Sequence, residues 1–160
     1  MPVTPFHLGP GALAKSIAPR NFSFQLFFLS QVAMDIQPGI NLLLGWRPLH
    51  GWTHTYFGAV FVGMLVMLVW RIWEKIRPVV FESPILSSSV LGVSCFFGTL
   101  SHVWLDSQFH QEMWRLTPNM ARLLDPDQVE TFCLATLGIA GIIFTVRLIA
   151  TRLHDKKVGT

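Results

Sequence analysis

Long apolar runs alternate with short polar breaks along this chain. Four runs reach the length a bilayer crossing needs, about 20 residues in a helix. They cover roughly residues 22–44, 53–73, 84–105 and 126–149. Two breaks carry helix-start chemistry. Ser83-Pro84 reads as an N-cap followed by proline at the first helical position. Asp125-Pro126, with Asp127 and Glu130 in the next turn, reads the same way and places negative charge at a helix N-terminus. Residues 4–18 are too short to span and form either an interfacial helix or a re-entrant segment. The pattern predicts an all-α integral membrane protein of one domain, with four transmembrane helices and this short N-terminal segment.

Composition agrees. Of the 160 residues, 51% are hydrophobic and 13% charged, with a mean hydropathy of +0.48. Soluble domains carry about twice that charge. The formal charge of +3 does not suggest nucleic acid, because the basic residues are scattered rather than striped. No CxxC spacing exists, so Cys95 and Cys133 read as buried thiols. The N-terminus lacks the basic region, apolar core and cleavage site of a signal peptide. Trp46, Trp52, Trp104 and Trp114 suit an interfacial belt.

The basic residues also orient the chain. Lys15, Arg20, Arg71, Lys75, Arg77, Arg147, Arg152, Lys156 and Lys157 fall on one side of the four runs, and Arg47, Arg115 and Arg122 on the other. The positive-inside rule then predicts cytoplasmic termini, in a cytoplasmic membrane, with loops 45–52 and 106–125 outside.

That topology brings distant residues to one depth. His50 and His54 stand four apart at the start of the second run, and His102 and Asp106 four apart at the end of the third. Residues at i and i+4 share a helix face. Asp35 lies inside the first run, where an ionisable group is costly unless paired or bound. Pro38, three residues on, frees the carbonyl of Met34 and suggests a broken helix lining a cavity. His7, ahead of a Gly-Pro-Gly turn, and His110, four residues beyond Asp106, are further candidates, whereas His154 sits in a basic tail. Imidazole with carboxylate suits zinc, or iron or manganese. Simpler roles exist for each residue alone: a hydrogen-bonded histidine at a helix start, a His102–Asp106 pair stapling helices, a polar interhelical contact at Asp35.

Taken in order, PFHLGPG, MDIQPG, HGWTHT and SHVWLDS resemble the motifs of the small inner-membrane, membrane-bound metal-dependent hydrolases. That family is distantly grouped with zinc-dependent phospholipase C and related single-strand nucleases. The resemblance covers residues 4 to 110. It implies His7, Asp35, His54, His102 and Asp106 as metal ligands. Two of its positions differ: Leu49-His50 stands for a His-Arg pair, and Gln37-Pro38 for a second Asp and a His, which leaves one metal or a tight pair.

The expected chemistry is hydrolysis at a metal centre, with Asp35 or Asp106 as base and a phospholipid or other amphiphilic phosphoester as substrate. A different class of function is also open: a metal-binding accessory subunit of a larger membrane complex, docking through SQFHQEMWRLTPNMARLLDPDQ. An ion carrier ranks last, because the second and fourth runs offer almost no polar path in their inner halves.

Overall fold

The computed structural model describes residues 7–76, 85–109, 113 and 123–158, the last of these with side chains to residue 154. Among these residues five α-helices follow one another: α1 (Leu8–Ile17), α2 (Phe24–Leu44), α3 (Tyr56–Ile76), α4 (Ser88–Phe109) and α5 (Pro126–Val158). A 3-10 turn over Trp52–His54 precedes α3. No strand occurs among the described residues.

The helix starts follow side-chain chemistry. Ser23 accepts from the Leu26 amide and opens α2. Thr55 Oγ1 accepts from the Gly58 amide at 2.9 Å and opens α3. Ser87 accepts from the Val90 amide and opens α4, four residues after the predicted Ser83-Pro84 start, which lies outside the described residues. At α5 the expectation holds: Pro126 is the first residue, and Gln128 Oε1 reaches back to the Asp125 amide at 2.9 Å, half of a capping box. α2 ends at Gly45, whose φ of 69° suits glycine and lets the Trp46 amide bond Asn41. α2 continues through Pro38 to Leu44 rather than breaking there.

Among the described residues three helices are long and apolar enough to cross a membrane: Tyr56–Ile76, Ser88–Phe109 and Pro126–His154. The fourth predicted span, α2, has the length at 21 residues. It is diluted by Gln25, Ser30, Gln31, Asp35, Gln37 and Asn41. Of these, Gln25 is exposed at the helix start, and Asp35, Gln37 and Asn41 are half-buried. Ser30 and Gln31 are fully buried, while Phe28, Leu29, Val32, Ile36, Ile40 and Leu43 face outward.

This inversion runs through the molecule. Ser94, Thr99, His102 and Asp106 of α4 are buried, whereas α5 turns Leu137, Ile142, Phe144, Val146 and Ile149 outward. Water would favour the opposite arrangement, and a hydrocarbon solvent favours this one. Small residues let the helices close up. At Gly98 an added Cβ would lie 2.7 Å from Ser30 Cβ, so α2 and α4 meet there nearly backbone to backbone. At Gly9 it would lie 2.1 Å from the Cys133 carbonyl oxygen, which seats α1 on α5.

The core falls into patches between those contacts. Met34, Ala59, Val62, Val103 and Met113 join α2, α3 and α4, and Leu105 with Val129 and Cys133 joins α4 to α5. Cys95 and Cys133 are free, buried and in different patches. The helix directions bring the N-terminal ends of α1, α3 and α5 and the C-terminal ends of α2 and α4 to one end of the bundle.

Candidate metal centre

Six of the seven predicted ligands converge at that end. His7 is the N-cap residue of α1, and the seating of Gly9 against α5 carries it inward until it is 2% exposed. Asp35 comes from α2, His54 from the 3-10 turn, and His102 and Asp106 from successive turns of α4. His50 sits in the loop after α2, where Asn41 Nδ2 donates to the carbonyls of Pro48 and Leu49 at 3.2 and 3.0 Å and holds the backbone beside it. His110 lies outside the described residues. His154 is exposed near the far end of α5, away from the group.

Asp106 is the centre. Its Oδ2 lies 3.3 Å from His102 Nε2, 3.5 Å from His54 Nε2 and 3.7 Å from His50 Nε2. Its Oδ1 lies 3.6 Å from His7 Nε2. A second carboxylate, Asp35 Oδ1, lies 3.2 Å from His102 Nε2. Three overlapping triads have ligand atoms within 4.8 Å of one another and could hold a metal ion: His7, His102 and Asp106; Asp35, His54 and His102; His50, His54 and Asp106.

The tautomers of two histidines follow from what their other nitrogens touch. Gln31 Nε2 donates to the Gly98 carbonyl at 3.0 Å, which turns Oε1 toward His102 Nδ1, 2.6 Å away. That oxygen can only accept, so Nδ1 carries a proton, and when the ring is neutral Nε2 presents a lone pair. His54 reaches the same state by a different route. Gln37 Oε1 accepts from both the amide and the hydroxyl of Thr53. The Thr53 oxygen is then the acceptor for Nδ1 of His54 at 3.1 Å, and Nε2 again bears the lone pair.

Neither Nε2, of His54 or of His102, makes a hydrogen bond, and both are buried. They face carboxylate oxygens, which are acceptors as well. Acceptors gathered this closely away from water repel one another unless a cation lies among them. Imidazoles whose second nitrogen is tied to an amide or hydroxyl, aimed at carboxylates, are the usual environment of a metal ligand. The donor set is nitrogen and oxygen throughout, without a thiolate.

No family model matches this sequence, and no curated protein or solved structure matches it either.

Burial is uneven around the group. The side chains of His7, His50, His54, His102 and Asp106 are at most 7% exposed, while Asp35 is 35% exposed. Asp35 is thus the edge at which the cluster meets its surroundings. Asp106 stands three residues before the end of α4, and His54 two residues before the start of α3. At 1.5 Å per residue Asp106 and His54 lie about 5 Å or less from their helix ends, and Asp35 about 14 Å from the end of α2.

The supporting residues Gln31, Thr53, Gln37 and Asn41 are absent from the predicted set. Gln31 had a legible signal, since it stands one helical turn before Asp35 on the same face of a greasy segment. Gln37, taken in the sequence as a substituted ligand position, has a role of its own in orienting His54 through Thr53.

Proposed function

We propose that the protein is an integral membrane metalloprotein of four spans whose His/Asp centre hydrolyses phosphoester bonds of amphiphilic substrates. The observation that carries the metal reading is the meeting of two imidazole lone pairs, from His54 and His102, with the carboxylates of Asp35 and Asp106 at 3.2–3.5 Å. One proton on His102 Nε2 would relieve its own two contacts and leave His54 Nε2 facing Asp106, whereas a divalent cation relieves all three together. An N/O donor set without thiolate suits zinc, with iron or manganese as alternatives.

Four spans follow from counting α2 as membrane-embedded, for which its apolar outer face and the burial of Ser30 and Gln31 are the support. The basic residues Lys15, Arg71, Lys75, Arg147 and Arg152 then mark the cytoplasmic end, and the His/Asp centre opens toward the outer leaflet.

A divalent cation held there supplies Lewis acidity toward a phosphoester. The chain's own groups divide the remaining work. His7, His50, His54, His102 and Asp106 hold the charge in a dry surround. Asp35, at the exposed edge, is placed to accept a proton from an entering water. The shallow depth of the centre favours a lipid headgroup over a substrate drawn from the bilayer midplane. The resemblance of the four motifs to membrane-bound metal-dependent hydrolases supports the same reaction class.

One observation favours a second reading, a non-catalytic metal-binding subunit of a larger membrane complex. Six donors converge, enough to fill a coordination sphere, and five of them are nearly inaccessible. Metal analysis of the purified protein, joined to a headgroup-release assay on mixed phospholipid micelles, tests both. Stoichiometric metal with chelator-sensitive release supports the hydrolase. Stoichiometric metal without release supports the subunit, and protein that takes up no divalent metal refutes both.

A further inference from the structure

At the opposite end of the bundle, α1 and α5 diverge from their close contact at Gly9 and leave a groove of about 750 Å3. Its walls are apolar: Ala12 from α1, Phe24 at the start of α2, and Leu137, Ala140, Phe144 and Leu148 along α5. Two cations close its far end, Lys15 and Arg147. No acidic side chain lines it, and neither cation forms an ion pair with a described carboxylate.

Both cations are held by backbone carbonyls at the end of α1 and in the turn that follows it. Lys15 Nζ donates to the carbonyls of Pro19 and Phe22 at 2.7 and 2.9 Å. Arg147 Nη2 donates to the Ile17 carbonyl at 3.5 Å. These contacts engage neutral oxygens, so the positive charges stay uncompensated at the rim. A ligand matching this outline is long and apolar, and carries its negative charge at one end.

We propose that the groove between α1 and α5 is a binding site for an anionic phospholipid, its acyl chain along Ala12, Leu137, Ala140 and Phe144 and its phosphate between Lys15 and Arg147. The occupant is a lipid of the surrounding bilayer because the groove opens sideways on the apolar exterior of α5. Basic pockets between membrane helices on the positively charged face recognise such headgroups. The site is separate from the His/Asp centre and needs no metal. Its effect on the fold is to clamp α1, which carries His7, against α5.

Native mass spectrometry of the detergent-solubilised full chain tests this, with dioleoyl phosphatidylglycerol and dioleoyl phosphatidylcholine added in competition. One phosphatidylglycerol retained in preference to phosphatidylcholine is expected. Arg147→Gln should lower that preference about fivefold, about one basic residue's share of headgroup attraction, and Arg147→Lys should restore most of it. Gly141 lines the groove and has open space where a Cβ would go. Gly141→Leu should therefore fill the groove and displace the lipid without disturbing the helix contact at Gly9. Equal retention of the two lipids overturns the proposal. So does a Gly141→Leu chain that keeps its lipid, or a wild-type chain that is found as a dimer and becomes a monomer on Gly141→Leu, which would make a second copy the occupant.

Discussion

Gln31 Oε1 lies 2.6 Å from His102 Nδ1, and the same amide is held in place through its nitrogen by the Gly98 carbonyl. One buried side chain of α2 thereby sets both the proton position and the orientation of an imidazole on α4. The contact converts a packing relationship into a chemical one, because it leaves the lone pair of His102 facing Asp35 and Asp106. Replacing Gln31 by Leu removes the acceptor while preserving bulk. Zinc affinity should fall about 10–100-fold, the usual cost of losing such an orienting partner. Gln31→Glu keeps an acceptor and should stay within a few-fold of wild type. Competition titration against a chromophoric chelator measures both, and unchanged affinity in Gln31→Leu removes the orienting role.

Deleting the ligands themselves should do more. His102→Ala combined with Asp106→Ala should abolish stoichiometric metal, because together they remove the centre of all three triads. His154→Ala, on an exposed stretch of α5, should leave metal content unchanged. Retention should also fall on acidification, since protons compete with the cation for imidazole lone pairs. Full occupancy in the double variant, measured by elemental analysis after desalting, would show that the cation lies elsewhere.

The seating of α1 gives a test of packing. A Cβ at Gly9 meets the Cys133 carbonyl oxygen at 2.1 Å and Thr136 Oγ1 at 2.4 Å. Gly9→Val should therefore lift α1 from α5, cost about 1–3 kcal/mol of stability as overpacking, and weaken metal binding by displacing His7. At Gly138 of α5 an added Cβ would meet nothing within 4 Å, so Gly138→Ala should be neutral or slightly stabilising. Thermal melts with and without zinc separate the two effects. A Gly9→Val chain with wild-type stability and metal affinity would contradict the close contact.

Topology can be read by labelling. The buried Cys95 and Cys133 give a low background. With four spans, a cysteine at exposed Trp46 should react with a membrane-impermeant maleimide from outside, and one at exposed Thr151 only after the membrane is opened. Reaction of both positions from the same side would mean that α2 does not cross, and would move the His/Asp centre relative to the basic end of the bundle.

By itself the sequence determined the all-α class, the long apolar helices and the start of α5 at Pro126, because these rest on local rules: apolar run length, cap chemistry and proline placement. It also pointed to His7, Asp35, His50, His54, His102 and Asp106, since an ionisable group in a greasy segment is conspicuous wherever the chain goes. Tertiary structure decided the rest. Whether residues 8–17 lay at the interface or entered the bundle depended on the fit of Gly9 against the Cys133 backbone, a contact 124 positions away in the chain. The roles of Gln31 and Gln37 depended on which atoms of α4 and of the 3-10 turn came within hydrogen-bond reach. A polar side chain in a membrane segment looks the same in sequence whether it coordinates, orients or merely packs. Only the neighbours brought to it by folding separate those roles, and helix packing against distant helices is what supplies them.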